Sequence, residues 1–589
     1  MASEPTFEIG ITMAGAVSAG AYTAGVMDFL IEAIDAWETA KAELKAGTGS
    51  EPLCPTHSVS LRVMSGASAG SIVSAIVAAN IDQRWTPVRK ANADNQNTQN
   101  PLFESWVNQV DIRPMLGKND LKADAMPVSL LDATTLDQIA EAAFNFRGTP
   151  IKRSYIANPL RTIFTLTNLT GVPFRYDLRG NTDKGQDLTM HGDLMRFATL
   201  NAGMASAPAP RLNADASYEY LLPPVAVPKW EDFAWHRYAS VAIASGAFPL
   251  GLRPREIERN KSDFTKIPLL ASGDISPLTM TPAWTAQPNE KYKYLSVDGG
   301  CIDNEPLQHA RIELSGSPNE TNPRKGNEAH RAVIMIDPFV GPSEAGPSKV
   351  SDNPLHLAFF KLFGAIINNS RFKADDIELA YRPDVFSRFM IAPRRPTPPL
   401  MSVTYANADG QWIACGALGG FSGFLEREYR KHDFLLGRRN CQQFLAYHFS
   451  LHVENHLFDI WRQNSTMLDY FVIRGTNGKP DELPVIPLVG SLHPRHGIEE
   501  PLPDWPSDKF NFSDIEPLIR SRLDGLFDKY NGRNSLIFGT LLRVAWLFSM
   551  ARIVSKVKDF LLTSLEKQGL LTPERNSTAG GVTEIFRET

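Results

Sequence analysis

Leu61-Arg62-Val63-Met64-Ser65-Gly66-Ala67-Ser68-Ala69-Gly70-Ser71-Ile72-Val73 changes its pattern halfway along. Val59 to Met64 largely alternates apolar and polar residues, as a short strand does. From Ser71 to Ala79 apolar residues recur at helical spacing with little to break a helix. Between them lies Gly66-x-Ser68-x-Gly70, the pattern of a sharp strand-to-helix turn that leaves a nucleophile at its tip. In so tight a turn, side chains at Gly66 or Gly70 would collide with neighbouring backbone. The start of the next helix favours negative charge forming near Ser68. Gly, Ser and Ala are common, so the string alone is weak. Its strand–turn–helix setting makes Ser68 a candidate nucleophile instead of an ordinary turn residue.

Working outward, Phe7 to Met13 reads as a buried strand and Ala14-Gly15-Ala16-Val17-Ser18-Ala19-Gly20 as a small-residue loop. Ala21 to Ala42 then makes a long helix with Val26, Phe29, Leu30, Ala33, Ile34 and Trp37 on one face. Strand, helix, strand, helix in this order predicts an α/β sandwich with a mostly parallel sheet. Residues 82–150 read as an insertion that partly covers the site, with a mobile amide-rich stretch at Asn95 to Asn100. Leu136 to Phe146 is helical. Tyr155 to Asn168 and Val172 to Leu178 look like paired strands around Thr170-Gly171. Residues 203–232 read as irregular surface. Trp235 to Ser245 is a helix stopped by Gly246, with Pro249 beyond. Lys291 to Val297 is a strand running into Asp298-Gly299-Gly300, and Arg331 to Asp337 is another.

Strand signals fade after about residue 345. Leu355 to Asn368, Asp433 to Leu457, Ile515 to Tyr530 and Leu536 to Leu562 read as helices. The expected organisation is a catalytic domain over 1–345, a helical extension over 346–572 and a loose polar tail over 573–589.

Composition bounds the function. A hydrophobic content of 43% with 21% charged residues is that of a globular chain. A net charge of −5 and the absence of a long basic run give no sign of nucleic-acid binding. Cys54, Cys301, Cys415 and Cys441 make no metal-ligand spacing and read as reduced thiols in a cytoplasmic setting. The first residues do not resemble a secretory leader. No uninterrupted apolar run reaches the ~18 residues that cross a bilayer, so any membrane contact is expected to be peripheral.

A serine hydroxyl needs a base. None of the twelve histidines sits in a loop that clearly follows a core strand. Asp298 does stand at a strand end before turn glycines, although an Asp before Gly-Gly is also an ordinary turn former. In a dry pocket a carboxylate becomes basic enough to take a hydroxyl proton, so a Ser–Asp dyad is chemically sufficient. Acyl transfer also needs backbone N–H donors at the oxyanion, and Gly15, Ala16 and Val17 in the small-residue loop are the candidates. The rival reading, a dinucleotide loop, needs glycine at position 17 and an acid at a following strand end. Val17 breaks the first requirement. Asp35 and Glu38, inside the predicted helix, do not meet the second.

Three ordered blocks resemble the patatin-like phospholipases: Gly20-Ala21-Tyr22-Thr23-Ala24-Gly25-Val26-Met27 after its loop, Gly66-x-Ser68-x-Gly70, and Asp298-Gly299-Gly300-Cys301-Ile302-Asp303-Asn304-Glu305-Pro306. Ala244-Ser245-Gly246-Ala247-Phe248-Pro249 is also close to that family's wording, and Asp433 to Asn440 looks like its larger bacterial members. The resemblance implies a three-layer α/β/α core and a lipid acyl hydrolase of phospholipase A or lysophospholipase type. It implies Ser68 as nucleophile and Asp298 as base, supported by Gly20, Gly66, Gly70, Gly299 and Gly300. Lipid or phospholipid is the substrate, and no cofactor or metal is required. The family loop commonly has three adjacent glycines followed by a basic residue. Here Ala16 and Val17 replace two of them and Ala19 stands at the basic position. Backbone donors survive such changes if φ stays negative. The alternatives are an acyltransferase on the same dyad and a non-enzymatic lipid-binding protein.

Three weaker signals remain. His448, His452 and His456 would share one helix face, more often a polar stripe than a metal site. Gly416 to Gly423 reads as a turn or tight packing. The apolar stretch from Leu536 to Leu562, with its interspersed basic residues, fits a core helix better than a membrane-interface helix.

Overall fold

Alternating and β-branched segments supply a central sheet, and small-residue turns lead from it into helices that cover both faces. This architecture is seen in a computed structural model describing residues 5–48, 53–95, 97–122, 126–176, 186–203, 217–224, 227–266, 268–269, 278–279, 282–284, 287, 289–317, 320–339, 370, 382, 384–395, 412–475, 478, 480–531 and 536–573. The main sheet contains β1 (Thr6–Met13), β2 (Ser58–Gly66), β3 (Ile156–Tyr176), β4 (Gln186–Thr199), β5 (Glu219–Leu221), β6 (Arg255–Asn260), β7 (Lys291–Asp298), β8 (Arg331–Ile336) and β9 (Arg388–Ile391). Its order is β9-β8-β1-β2-β3-β7-β6, with β4 and β5 continuing from β3. The pairs from β9 to β3 are parallel, whereas β7 and β6 run antiparallel at the far edge. The helices used below are α1 (Gly20–Ala46), α2 (Ala69–Asn80), α3 (Thr134–Phe144), α4 (Phe233–Ser245), α5 (Leu307–Ser315), α6 (Arg427–Tyr447), α7 (Glu516–Asn531) and α8 (Leu536–Lys567).

The period of two along β8 shows how the layers form. Val333 and Met335 join Leu307, Ala310 and Leu314 of α5 on one face. Ile334 and Ile336 join the larger core of α1, α2, α4 and α6 on the other. The expected three-layer sandwich with a mostly parallel sheet is therefore the observed fold.

α1 is more enclosed than a one-faced helix. Every residue from Gly20 to Ile31 is buried. By length and composition Val17–Ala46 could cross a membrane, but 89% of its apolar window is buried inside the fold. Its outer cover comes from α6, and the two helices meet backbone to backbone. A Cβ at Gly25 would lie 1.9 Å from the Phe434 carbonyl oxygen, and one at Gly437 would lie 2.2 Å from that of Tyr22.

Several sequence expectations change. Within the expected strand pair at 155–178, the described residues Ile156–Tyr176 do not fold back on themselves. β3 runs through Gly171 (φ +77°) and pairs with β4, its register shifting between Thr167 and Val172. Within 203–232 the short β5 adds to the sheet. Asn100 is fully buried, caps the turn at Pro101 and donates to Asp28, so this end of the amide-rich stretch is anchored. The helix expected over 433–457 spans Arg427–Tyr447. His452 falls in a short strand and His456 in a 3₁₀ turn, so the three histidines share no helix face. Past residue 345 the chain still adds β9 to the sheet. The expected helix at 355–368 and the tail at 574–589 lie outside the described residues. α8 packs against α7, with Trp546 stacked on Phe527 at 4.7 Å, and Leu565 near its end is fully buried.

The α1–α6 contact reverses a familiar sign. Gly→Ala inside an exposed helix normally stabilises by about 1 kcal/mol. At position 437 the added methyl would enter the Tyr22 backbone, so Gly437→Ala is expected to destabilise by roughly 1–3 kcal/mol. Urea unfolding checks this; a variant as stable as wild type would mean the helices are not held at that spacing.

Candidate active site

Two β-strand ends and one turn build the site. β2 leads into Gly66-Ala67-Ser68-Ala69-Gly70 and then α2. The glycines are there for space. A Cβ at Gly66 would come within 2.6 Å of the Gly70 carbonyl carbon, and one at Gly70 within 2.1 Å of the Met13 carbonyl oxygen. Ser68 has φ +49° and ψ −123°, a backbone conformation that costs on the order of 1–3 kcal/mol for a non-glycine residue. Its N–H donates to the Ser245 hydroxyl at 3.0 Å. Its own hydroxyl donates to Asp298 Oδ2 at 2.7 Å.

Asp298 ends β7, beside β3. A Cβ at Gly299 would sit 2.1 Å from the Thr165 carbonyl oxygen, and one at Gly300 2.4 Å from Asn304 Oδ1, so the turn after Asp298 has room only for glycines. The Gly300 N–H donates to Asp298 Oδ1 at 2.8 Å, the Asp298 N–H to the Ala247 carbonyl at 2.9 Å, and the Thr167 hydroxyl to the Asp298 carbonyl at 2.8 Å. Burial pushes the Asp298 carboxyl up to about 6, against the hydrogen bonds from Ser68 and Gly300 that pull it down. The adjacent Cys301 thiol is pushed up to about 12 by burial and by the Asp298 charge, which keeps it protonated and inert.

Ala14 to Ala19 runs alongside. The Ala14 N–H donates to the Ile336 carbonyl at 3.0 Å and the Gly15 N–H to the Asn304 carbonyl at 3.1 Å. Gly15 is therefore not the free donor expected from sequence. Its place is set by contact instead: a Cβ there would lie 2.2 Å from Asn304 Oδ1 and 3.1 Å from Ser68 Cβ. The N–H groups of Ala16 and Val17 have no acceptor among the described residues. Val17 departs from expectation in its backbone: φ is +48°, not negative. Gly20 is needed for packing, since a Cβ there would lie 2.4 Å from the Trp106 ring.

Ser68 and Asp298 open into a cleft enclosing about 890 Å³, part of it open to solvent. Its walls are almost wholly apolar. Ile72 and Ile76 come from α2, Ile139 from α3, Trp106 from a π-helical turn at Glu104–Gln109, Phe248 from a loop, and Phe421 from the C-terminal half. Among the described residues that line it there is no histidine. Sequence reasoning missed Ser245, although it quoted the segment containing it, and missed Phe421 and Phe424. Gly416 to Gly423, expected as a turn or tight packing, holds three successive positive-φ residues, Leu418, Gly419 and Gly420. Among the described residues no cluster of His, Cys, Asp or Glu could hold a metal.

Comparison with known proteins places this geometry. The profile of the patatin-like phospholipases matches residues 11–311, which contain Ser68, Asp298 and the loop before α1. An uncharacterized protein, y4iI of Sinorhizobium fredii, is 35% identical over 548 residues, covering 88% of this chain and 76% of that protein. The crystal structure of VipD from Legionella pneumophila aligns over 97% of this chain and 92% of its own at 12% identity, with a TM-score of only 0.21. From the profile match over half its length, and from the relative that shares most of the remainder, the chain belongs to the patatin-like phospholipase family, whose membership supports lipid acyl hydrolase activity.

Proposed function

We propose that the protein hydrolyses carboxylic esters of lipids through a Ser68–Asp298 dyad and an acyl-enzyme. The observation that carries this reading is the 2.7 Å hydrogen bond from the Ser68 hydroxyl to a buried carboxylate whose basicity burial has raised. A carboxylate with ordinary acidity would be a poor base for a hydroxyl. One titrating near 6 is deprotonated at neutral pH and better matched to the task.

In this reaction Ser68 Oγ attacks the ester carbonyl carbon while its proton passes to Asp298. The negative charge forming on the carbonyl oxygen is met by the N–H groups of Ala16 and Val17. Collapse of the tetrahedral intermediate breaks the ester bond, and Asp298 returns the proton to the leaving alcohol oxygen. Water then attacks the acyl-serine, giving its proton to Asp298, and the fatty acid leaves as Ser68 recovers a proton. The apolar cleft fits an acyl chain. Among the described residues its walls carry no charged group other than Asp298, so selection there acts on the chain and not on a charged head group.

Ser68→Ala is expected to lower turnover on a panel of lipid and short-chain esters by about 10⁶-fold. Unchanged hydrolysis by the purified variant would remove the serine mechanism.

Asp298→Asn is expected to lower turnover by at least about 10²-fold. Wild-type turnover should rise as pH climbs through about 6, where Asp298 loses its proton, and then level off. Stability should move the other way. Because the carboxyl titrates higher folded than unfolded, its charge costs stability above about pH 6, and the cost disappears below the ordinary carboxylate range. Asp298→Asn should therefore melt above wild type at pH 8, with the gain shrinking as pH falls through 6. A histidine variant that abolished activity while Asp298→Asn retained it would replace the dyad with a triad.

A further inference from the structure

Val17 is a β-branched residue held at φ +48°, where such side chains are genuine outliers. Strained residues persist only where their surroundings over-determine them. Asn304 holds the loop on one side of Val17, at Gly15. On the other side the hold comes from far along the chain. The fully buried Ser18 hydroxyl donates to the Gly420 carbonyl and accepts the Gly423 N–H at 3.0 Å. Gly420 lies against Val17 itself, since a Cβ on Gly420 would be 3.2 Å from Val17 Cβ. A Cβ on Gly423 would reach 2.5 Å from Ser18 Oγ, so the contact has no slack.

The partner segment is itself rigidly anchored. Both Asp433 carboxylate oxygens accept backbone N–H groups, from Ala414 and Cys415, each at 2.8 Å. Ser422 Oγ donates to the Ala414 carbonyl at 2.8 Å, and the buried Arg430 guanidinium donates to the Gly423 carbonyl. The same segment carries Phe421 into the cleft, edge-on to Phe248 at 4.8 Å.

From this arrangement we infer that Ser18 is a positioning residue. Clamped between Gly420 and Gly423, it holds Val17 in its strained backbone conformation so that the Val17 N–H faces the oxyanion. The C-terminal half of the chain thereby sets the geometry of the catalytic loop. The inference rests on the oxyanion role given above to Val17. It predicts a specific coupling. Glycine adopts positive φ without strain, so a chain with Gly at position 17 has little need of the clamp.

The test is a double-mutant cycle on the full-length protein with a short-chain soluble ester. Ser18→Ala in the wild-type background should lower kcat by about tenfold or more, part of the roughly 10²–10³-fold that losing an oxyanion donor outright costs. KM should change little, and the pH midpoint near 6 should stay in place because Asp298 is untouched. In a Val17→Gly background the same Ser18→Ala change should cost about threefold or less, a non-additivity expected only of coupled positions. Ser18→Cys, which keeps the shape and weakens both hydrogen bonds, repeats the cycle if Ser18→Ala does not fold. Equal losses in the two backgrounds would overturn the inference and leave Ser18 a purely structural residue. The cycle compares ratios of kcat, so whatever Val17→Gly costs by itself, the Val17 side chain being also part of the cleft wall, cancels from the comparison. Failure of the dyad reading looks different: wild type itself would then hydrolyse no ester, or would keep its activity without Ser68.

Discussion

The fully buried carboxylate of Asp28 gathers the parts on which the site depends. It pairs with Arg438 of α6, accepts Trp85 Nε1–H at 3.0 Å and Asn100 Nδ2–H at 2.7 Å, and takes the Val88 N–H at 3.2 Å. Arg438 in turn bonds Glu32 at 2.7 Å and Glu500 at 2.6 Å. A buried charge network of this kind adds little net stability over a well-packed apolar one, but removing one member strands the others at a cost of about 3–5 kcal/mol. Its main effect is on geometry. It fixes α1, the segment that leads to Trp106, and α6 relative to one another, and each of these borders the catalytic loop or its cleft. The close Gly25 and Gly437 approaches bring the two helices near enough for the charges to meet.

Asp298 is buried with far fewer partners. Asp28 is surrounded by donors that compensate its charge. Asp298 has only the Ser68 hydroxyl and the Gly300 N–H, too little to offset burial, so its carboxyl becomes more basic. The same contrast holds for backbone strain. Ser68 and Val17 both stand at positive φ, and each is braced by a buried serine: Ser245 at the Ser68 N–H, Ser18 beside Val17. Ser245 and Ala247 also lie in one short segment that braces Ser68 through the first residue and Asp298 through the second. The end of α4 therefore helps to set the separation between Ser68 and Asp298.

What was legible in the sequence was local. The strand–turn–helix pattern exposed Ser68 because its glycines answer to steric limits a few residues away, and Asp298 stood out as an acid before two turn glycines at a strand end. The parallel α/β core followed from periodicity and order. The parts that escaped depend on partners remote in sequence. Ser18 and Gly420 are 402 residues apart, and Arg438 and Asp28 are 410 apart. Nothing near Val17 signals a positive φ. β9 is only four residues long and carries an arginine, so it gives no strand signal of its own and takes shape beside β8. Gly171 read as a turn because glycine often is one, yet here its positive φ marks an irregularity within a strand that continues past it. The amide-rich stretch read as loose because unpaired Asn and Gln are solvated, whereas Asn100 has a buried carboxylate to bond.

The match to the family profile ends at residue 311, but the fold around Ser68 and Asp298 does not. α1, inside that match, is buried on all sides from Gly20 to Ile31, and part of its cover is a helix that starts at Arg427. The cleft that receives the acyl chain under the proposed function takes Phe421 and Phe424 from beyond the match. The loop carrying Val17 is clamped there too. Without the later residues Asp28 would lose its arginine, an apolar helix would face water, and a strained valine would lack one of its two holds. Similarity to y4iI over 548 residues spans both parts, as it would if they formed one working unit. A later segment that both encloses the core and shapes the cleft can change chain selectivity without altering the dyad, because Phe421 touches the cleft while, among the described residues, the direct hydrogen-bond partners of Ser68 and Asp298 all lie before 311. Under the proposed function, then, nucleophile and base belong to the part matched by the family profile, and the wall against which a substrate would be measured takes two of its aromatic residues, Phe421 and Phe424, from the part beyond it.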